Sequence, residues 1–108
     1  MVIMMLGASD AVLGLDLSLT GTGVCLLSEN NHIIKSIKTK PVDGKKMDRY
    51  VKILCGIREV TKEHAPLAIF IENYAFGVNP KNTSSIVNLG ELGGIIKYSF
   101  RAYPIFLV

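Results

Sequence analysis

Ala68-Ile69-Phe70-Ile71-Glu72-Asn73-Tyr74-Ala75-Phe76 decides how this chain is read. It opens as a continuous apolar run rich in β-branched and aromatic residues, the pattern of a buried strand. A carboxylate then stands where the strand should end. Aromatics, Gly77, Pro80 and Lys81 follow it. A negative charge beside a core is costly unless something pairs with it. The matching feature lies upstream, in Val12-Leu13-Gly14-Leu15-Asp16-Leu17-Ser18, another apolar strand interrupted by one acid. Two such strands side by side place Asp16 and Glu72 together at one edge of a sheet. Paired oxygen ligands of this kind suit a hard divalent cation.

The rest of the chain supplies the frame. Residues 1–11 read as a disordered leader, and residues 12–108 as one domain. A strand over 12–17 is followed by Ser18-Leu19-Thr20-Gly21-Thr22-Gly23, whose hydroxyl and glycine content predicts a tight hairpin. Strands over 23–28 and 32–39 complete an antiparallel meander, with Ile33, Ile34 and Ile37 as the apolar positions of the third. Pro41-Val42-Asp43-Gly44 breaks the pattern. Residues 45–65 then read as a helix, with Met47, Val51, Leu54, Ile57 and Val60 as its apolar stripe. Pro66 ends it. After the strand at 67–72, a second helix is predicted from Thr83 or Ser84 to about Arg101, burying Ile86, Leu89, Leu92 and Ile96. Residues 102–108 form a fifth strand. The order β-β-β-α-β-α-β predicts an α/β, five-stranded mixed sheet with the first, fourth and fifth strands parallel.

Composition narrows the function classes. With 49% hydrophobic residues the chain can build a core. No run reaches the ~18 apolar residues of a membrane span, and Met1–Leu6 lacks the basic flank and cleavage site of a signal peptide. Cys25 and Cys55 fall in predicted core elements and match no metal spacing. These features point to the cytoplasm. The net charge is only +3, yet seven of the twelve basic residues are Lys35, Lys38, Lys40, Lys45, Lys46, Arg49 and Lys52. A local basic patch of this kind suits a polyanion such as nucleic acid, and it also fits a solvated strand edge and helix face.

Taken together, the element order and the two acids resemble the ribonuclease H-like superfamily. The finer resemblance is to the RuvC-like Holliday junction resolvases. It is carried by Gly14-Leu15-Asp16-Leu17-Ser18-Leu19-Thr20-Gly21-Thr22-Gly23, by Ile71-Glu72-Asn73 with its aromatic loop, and by Leu89-Gly90-Glu91-Leu92-Gly93-Gly94. It implies a metal-dependent endonuclease that cuts branched DNA, such as a four-way junction, as a homodimer in recombination or repair. Asp16 and Glu72 would be the catalytic carboxylates and the ligands of Mg²⁺ or Mn²⁺. Tyr74 or Phe76 would reach into the junction. Lys81, Lys45, Lys46 and Arg49 are the candidate phosphate contacts.

One departure stands out. The family carries its remaining acids on a helix after the fifth strand, and this sequence has no Asp or Glu after Glu91. The sequence therefore reads as a ribonuclease H-like sheet truncated after its fifth strand. It leaves open a piece of a longer protein, a site completed by another chain, or a non-catalytic branched-DNA-binding module. An ATP-binding half-domain of the actin and hexokinase type is a further alternative, although no second phosphate loop is visible. Without a covering helix, Ile105, Phe106 and Leu107 are expected to lack cover on one face, which predicts a dimer or larger assembly.

Overall fold

The computed structural model describes residues 10–72 and 83–108. Its strands are β1 (Ala11–Asp16), β2 (Gly21–Ser28), β3 (His32–Lys38), β4 (Ala68–Ile71) and β5 (Ile105–Leu107). Its helices are α1 (Lys46–Glu63) and α2 (Thr83–Ser99). The sheet order is β3-β2-β1-β4-β5. β1–β2 and β2–β3 are antiparallel, whereas β1–β4 and β4–β5 are parallel. The expected architecture is therefore the observed one. Ala11 is buried and already belongs to β1, so the strand starts one residue inside the predicted leader. Residues 1–9 lie outside the described residues.

Alternation along the strands separates two unlike faces. Leu13, Leu15, Val24, Leu26, Ile37, Ile69 and Ile71 point to one side and form a single core with residues of both helices. The other side carries Val12, Gly14 and Asp16 of β1, and Ala68 and Phe70 of β4, with Glu72 next in that series. Registers align Ile34, Cys25, Gly14, Phe70 and Phe106 as one row across all five strands. Phe70 and Phe106 stack within that row, with ring centroids 5.3 Å apart. Ile34, Phe106 and Leu107 are exposed. Cys25 is half-buried on this open face and Cys55 is exposed on α1, so neither cysteine lies in the core assigned to it from sequence. Of the β3 isoleucines only Ile37 is buried, because Ile33 and Ile34 stand on opposite faces near the sheet edge.

Helix α1 is turned relative to the stripe read from sequence. Met47 and Val51 are 61% and 50% exposed, while Tyr50, Ile53, Ile57 and Val60 are buried. The reason is the contact with β3. A Cβ on Gly56 would stand 2.6 Å from Ile37 Cδ1, so the helix rests its glycine on that side chain. Tyr50 then replaces Met47 at the start of the stripe. Upstream, Pro41–Asp43 forms a short 3₁₀ turn closed by Gly44 at φ 128°. The Asp43 and Asp48 carboxylates accept the backbone N–H groups of Lys40 and Lys45, at 2.7 and 2.8 Å. The second of these bonds begins α1.

The two helices are joined by polar contacts at their rims. The buried Tyr50 donates its hydroxyl to Glu91 Oε1 at 2.8 Å, and Lys46 Nζ lies 3.3 Å from the same oxygen. Arg58 donates to the Ser99 carbonyl at 3.2 Å and lies 5.0 Å from the Phe100 ring centroid, which secures the C-terminal end of α2.

Two predictions follow from this packing. Gly56→Ala should lower stability by up to about 2 kcal/mol, overpacking against Ile37 being partly offset by alanine's better helix propensity. Met47→Ala and Val51→Ala should each change it by under about 0.5 kcal/mol. Urea midpoints of the three variants check the rotation of α1. Burial, then the bond to Glu91, pushes the Tyr50 hydroxyl up to about 12. Tyr50 and then Lys46 hold the Glu91 carboxyl below its ordinary 4.5. Stability from Tyr50 is thus complete below pH 10 and lost as pH rises toward about 12. Stability from Glu91 is present above pH 4.5 and lost as pH falls through the lowered value. Tyr50→Phe should therefore differ from wild type at neutral pH, and the gap should narrow at both extremes in pH-resolved urea melts.

Candidate functional site

Asp16 is the last residue of β1, and Glu72 follows β4 directly. The last paired residues of the two strands are Leu15 and Ile71. The Glu72 N–H continues the ladder by donating to the Leu15 carbonyl at 3.0 Å. Asp16 and Glu72 therefore occupy neighbouring positions on adjacent parallel strands, about 4.8 Å apart along the hydrogen-bonding direction. Both project on the face without helices, and both are exposed. Neither is in an ion pair among the described residues.

Space is left around these acids. Asp16 is paired across β2 with Gly23, where a Cβ would stand 3.5 Å from the Asp16 Cβ. Gly14 and Cys25 lie one row back. Together with Phe70, Ile34 and Ser36 they line an open groove of about 740 Å³ that contains both carboxylates. Among the described residues no group of three His, Cys, Asp or Glu side chains comes together. The oxygen pair fits a hard divalent ion that takes its other ligands from water or phosphate.

The sheet brings basic residues to the same end. Gly21 pairs with Lys38 two residues from the Asp16–Gly23 pair, so β3 ends where β1 ends. The chain then passes Lys40 and enters α1 at Lys45 and Lys46 on the helix side. Lys38, Lys40 and Lys45 are exposed and make no ion pair among the described residues. Lys35, Lys46 and Lys52 are paired with Glu59, Glu91 and Asp43. Such exposed pairs are weak and exchange readily for a phosphate.

Arg49 requires a correction. It is buried, and its guanidinium donates to Thr39 Oγ1 at 2.9 Å and to the Thr39 carbonyl at 3.2 Å. It is a strut inside the fold and not a member of the exposed basic surface. Helical spacing alone gave no signal of this, because the acceptor is on β3's exit. Tyr74, Phe76 and Lys81 lie outside the described residues. Ser18, Thr20 and Thr22 bond to one another within the hairpin.

With this geometry in view, the fold is ribonuclease H-like. Among solved structures the chain is similar to RuvC from T. thermophilus in complex with a Holliday junction substrate, with a TM-score of 0.76. Sequence identity is 18% over 92% of this chain and 64% of that one. A second Thermus thermophilus RuvC structure gives a TM-score of 0.65 at 16% identity, over 91% and 63% of the two chains. YeaZ from Pseudomonas aeruginosa gives 0.55 at 18% identity, over 92% and 43%. The chain thus spans a little under two thirds of the RuvC chains it matches. No family model and no curated protein matches the sequence.

Adjacent like charges on neighbouring strands destabilise the apo protein. Asp16→Asn should therefore raise the metal-free melting temperature by roughly 1–5 °C. Any stabilisation of the wild type by Mn²⁺ should be lost in the same variant. Thermal melts with and without Mn²⁺ read both effects.

Proposed function

We propose that this chain is the core of a divalent-metal-dependent nuclease domain of Holliday junction resolvase type, acting on branched DNA. The observation that carries the reading is the side-by-side placement of Asp16 and Glu72 on the open face, without a cationic partner among the described residues. Two acids held together with no internal cation suit an external one. The fold's likeness to a protein solved with a Holliday junction supports branched DNA as the polyanion.

In this reading Asp16 and Glu72 hold Mg²⁺ or Mn²⁺. When bound, such an ion lowers the pKa of a bound water and offsets charge developing on the phosphate. The chain's own contribution is positional. β1 and β4 present the two carboxylates from a rigid sheet, and Gly23 adds no side chain beside Asp16. Lys38, Lys40 and Lys45, beyond β2 at the same sheet end, bind flanking phosphates. Tyr74, Phe76 and Lys81, in the segment after Glu72, are proposed as junction contacts. Assembly as a homodimer is part of the proposal, because a four-way junction offers two equivalent strands to cut.

A second reading is favoured by one observation. Only two carboxylates meet among the described residues, whereas a two-metal site uses more ligands. A branched-DNA-binding module without cleavage has the same fold, the same lysines and an incomplete site.

An end-labelled four-way junction incubated with the protein and Mg²⁺ or Mn²⁺ separates the two. Symmetric nicks that vanish in Asp16→Asn are the expected result for the nuclease. A gel shift without nicks, unchanged in Asp16→Asn, would establish the binding module. Neither shift nor nicks would refute both. In either case Lys38→Ala, Lys40→Ala and Lys45→Ala should each reduce the slope of log affinity against log salt by about 0.9.

A further inference from the structure

Apart from Tyr50, the buried polar or charged side chains among the described residues are Thr22, Thr39 and Arg49. Thr22 and Thr39 bond to the four residues that follow Asp16, and Arg49 bonds to Thr39. Thr22 donates its hydroxyl to the Ser18 carbonyl at 2.7 Å and accepts the Ser18 N–H at 3.2 Å. Thr39 donates its hydroxyl to the Leu19 carbonyl, and its N–H to the Thr20 carbonyl at 3.3 Å. Arg49, from α1, donates through Nε to the Thr39 hydroxyl and through Nη2 to the Thr39 carbonyl. The guanidinium thus polarises the hydroxyl that holds the turn, which strengthens the onward bond.

This is a costly way to hold a hairpin. Burying a guanidinium carries a desolvation penalty of several kcal/mol in general, and Arg49 has no carboxylate within ion-pair distance among the described residues. A two-residue Asn-Gly or Gly-rich loop would connect β1 to β2 without it. What distinguishes this turn is its attachment to Asp16. Asp16 closes β1 opposite Gly23, and the turn that begins at Leu17 continues directly from it. Leu17 is buried, Ser18 is held by Thr22, and Leu19 and Thr20 are held by Thr39, which Arg49 holds in turn.

We infer that Thr39 and Arg49 are positioning residues for the Asp16 carboxylate, bracing its turn from α1 and the end of β3. This rests on the reading of Asp16 as a metal ligand. Groups behind the ligands that orient them set metal affinity as well as stability.

The test is Mn²⁺ affinity of the full chain without DNA, measured by electron paramagnetic resonance of free Mn²⁺, alongside thermal melting. Thr39→Val keeps the shape of the side chain and removes its hydroxyl. Its affinity should fall about 10-fold, while Thr39→Ser should stay within about twofold. Arg49→Lys keeps the charge and loses the fork, and should fall similarly, which covers the case in which Thr39→Val does not fold. Tyr50→Phe, destabilised at a site away from the turn, should retain wild-type affinity. Thr39→Val and Arg49→Lys that melt lower yet bind Mn²⁺ like the wild type would overturn the inference and leave the metal site standing. Wild-type protein that binds Mn²⁺ no better than Asp16→Asn would overturn the metal reading and the inference with it.

Discussion

The parallel pairing of β1 with β4 is the constraint on which the structure depends. Each strand buries alternate residues, Leu13 and Leu15 on one and Ile69 and Ile71 on the other. Their register joins Leu13 to Ile69 and Leu15 to Ile71. The next residue on each strand is an acid, and both acids fall on the face away from the helices. A slip of one residue would turn Glu72 into the core and Phe70 with it. Core packing and site geometry are therefore set by the same pairing.

From that pair the remaining elements take up distinct tasks. β2 contributes Gly23 opposite Asp16, and the turn between them carries the polar brace from Thr39 and Arg49. β3 and α1 deliver lysines to the end of the sheet where the acids lie. β5 extends the open face with Phe106, stacked on Phe70. The helices stay on the opposite side, leaving the acids at the end of an exposed, largely apolar row. In the proposed reading, a nucleic acid laid across this end of the sheet meets the carboxylates at β1 and β4 and the lysines beyond β2.

Much of this was legible in the residues. The two acids each interrupt an apolar strand, and the element order leaves few ways to arrange five strands. The strand pairing and the shared face followed from period-two alternation. The rotation of α1 is not legible, because Met47, Val51 and Leu54 lead to Ile57 at helical spacing as well as Tyr50 and Ile53 do. Packing chooses between them, with Tyr50, Ile53 and Ile57 in the core and Gly56 against Ile37. Arg49 was assigned to the surface because charge alone suggests it, and its acceptor Thr39 is ten residues away in another element. The cysteines fall in elements that build the core, but the face each occupies depends on strand register and helix rotation.

The central claim is that Asp16 and Glu72 share one divalent ion. Anomalous diffraction from crystals of the full chain grown with Mn²⁺ tests it most directly. The account predicts an anomalous peak within coordination distance of both carboxylates, between the ends of β1 and β4, with water or phosphate completing the shell. A peak elsewhere, or carboxylates turned apart and paired with protein cations in the presence of Mn²⁺, would contradict it.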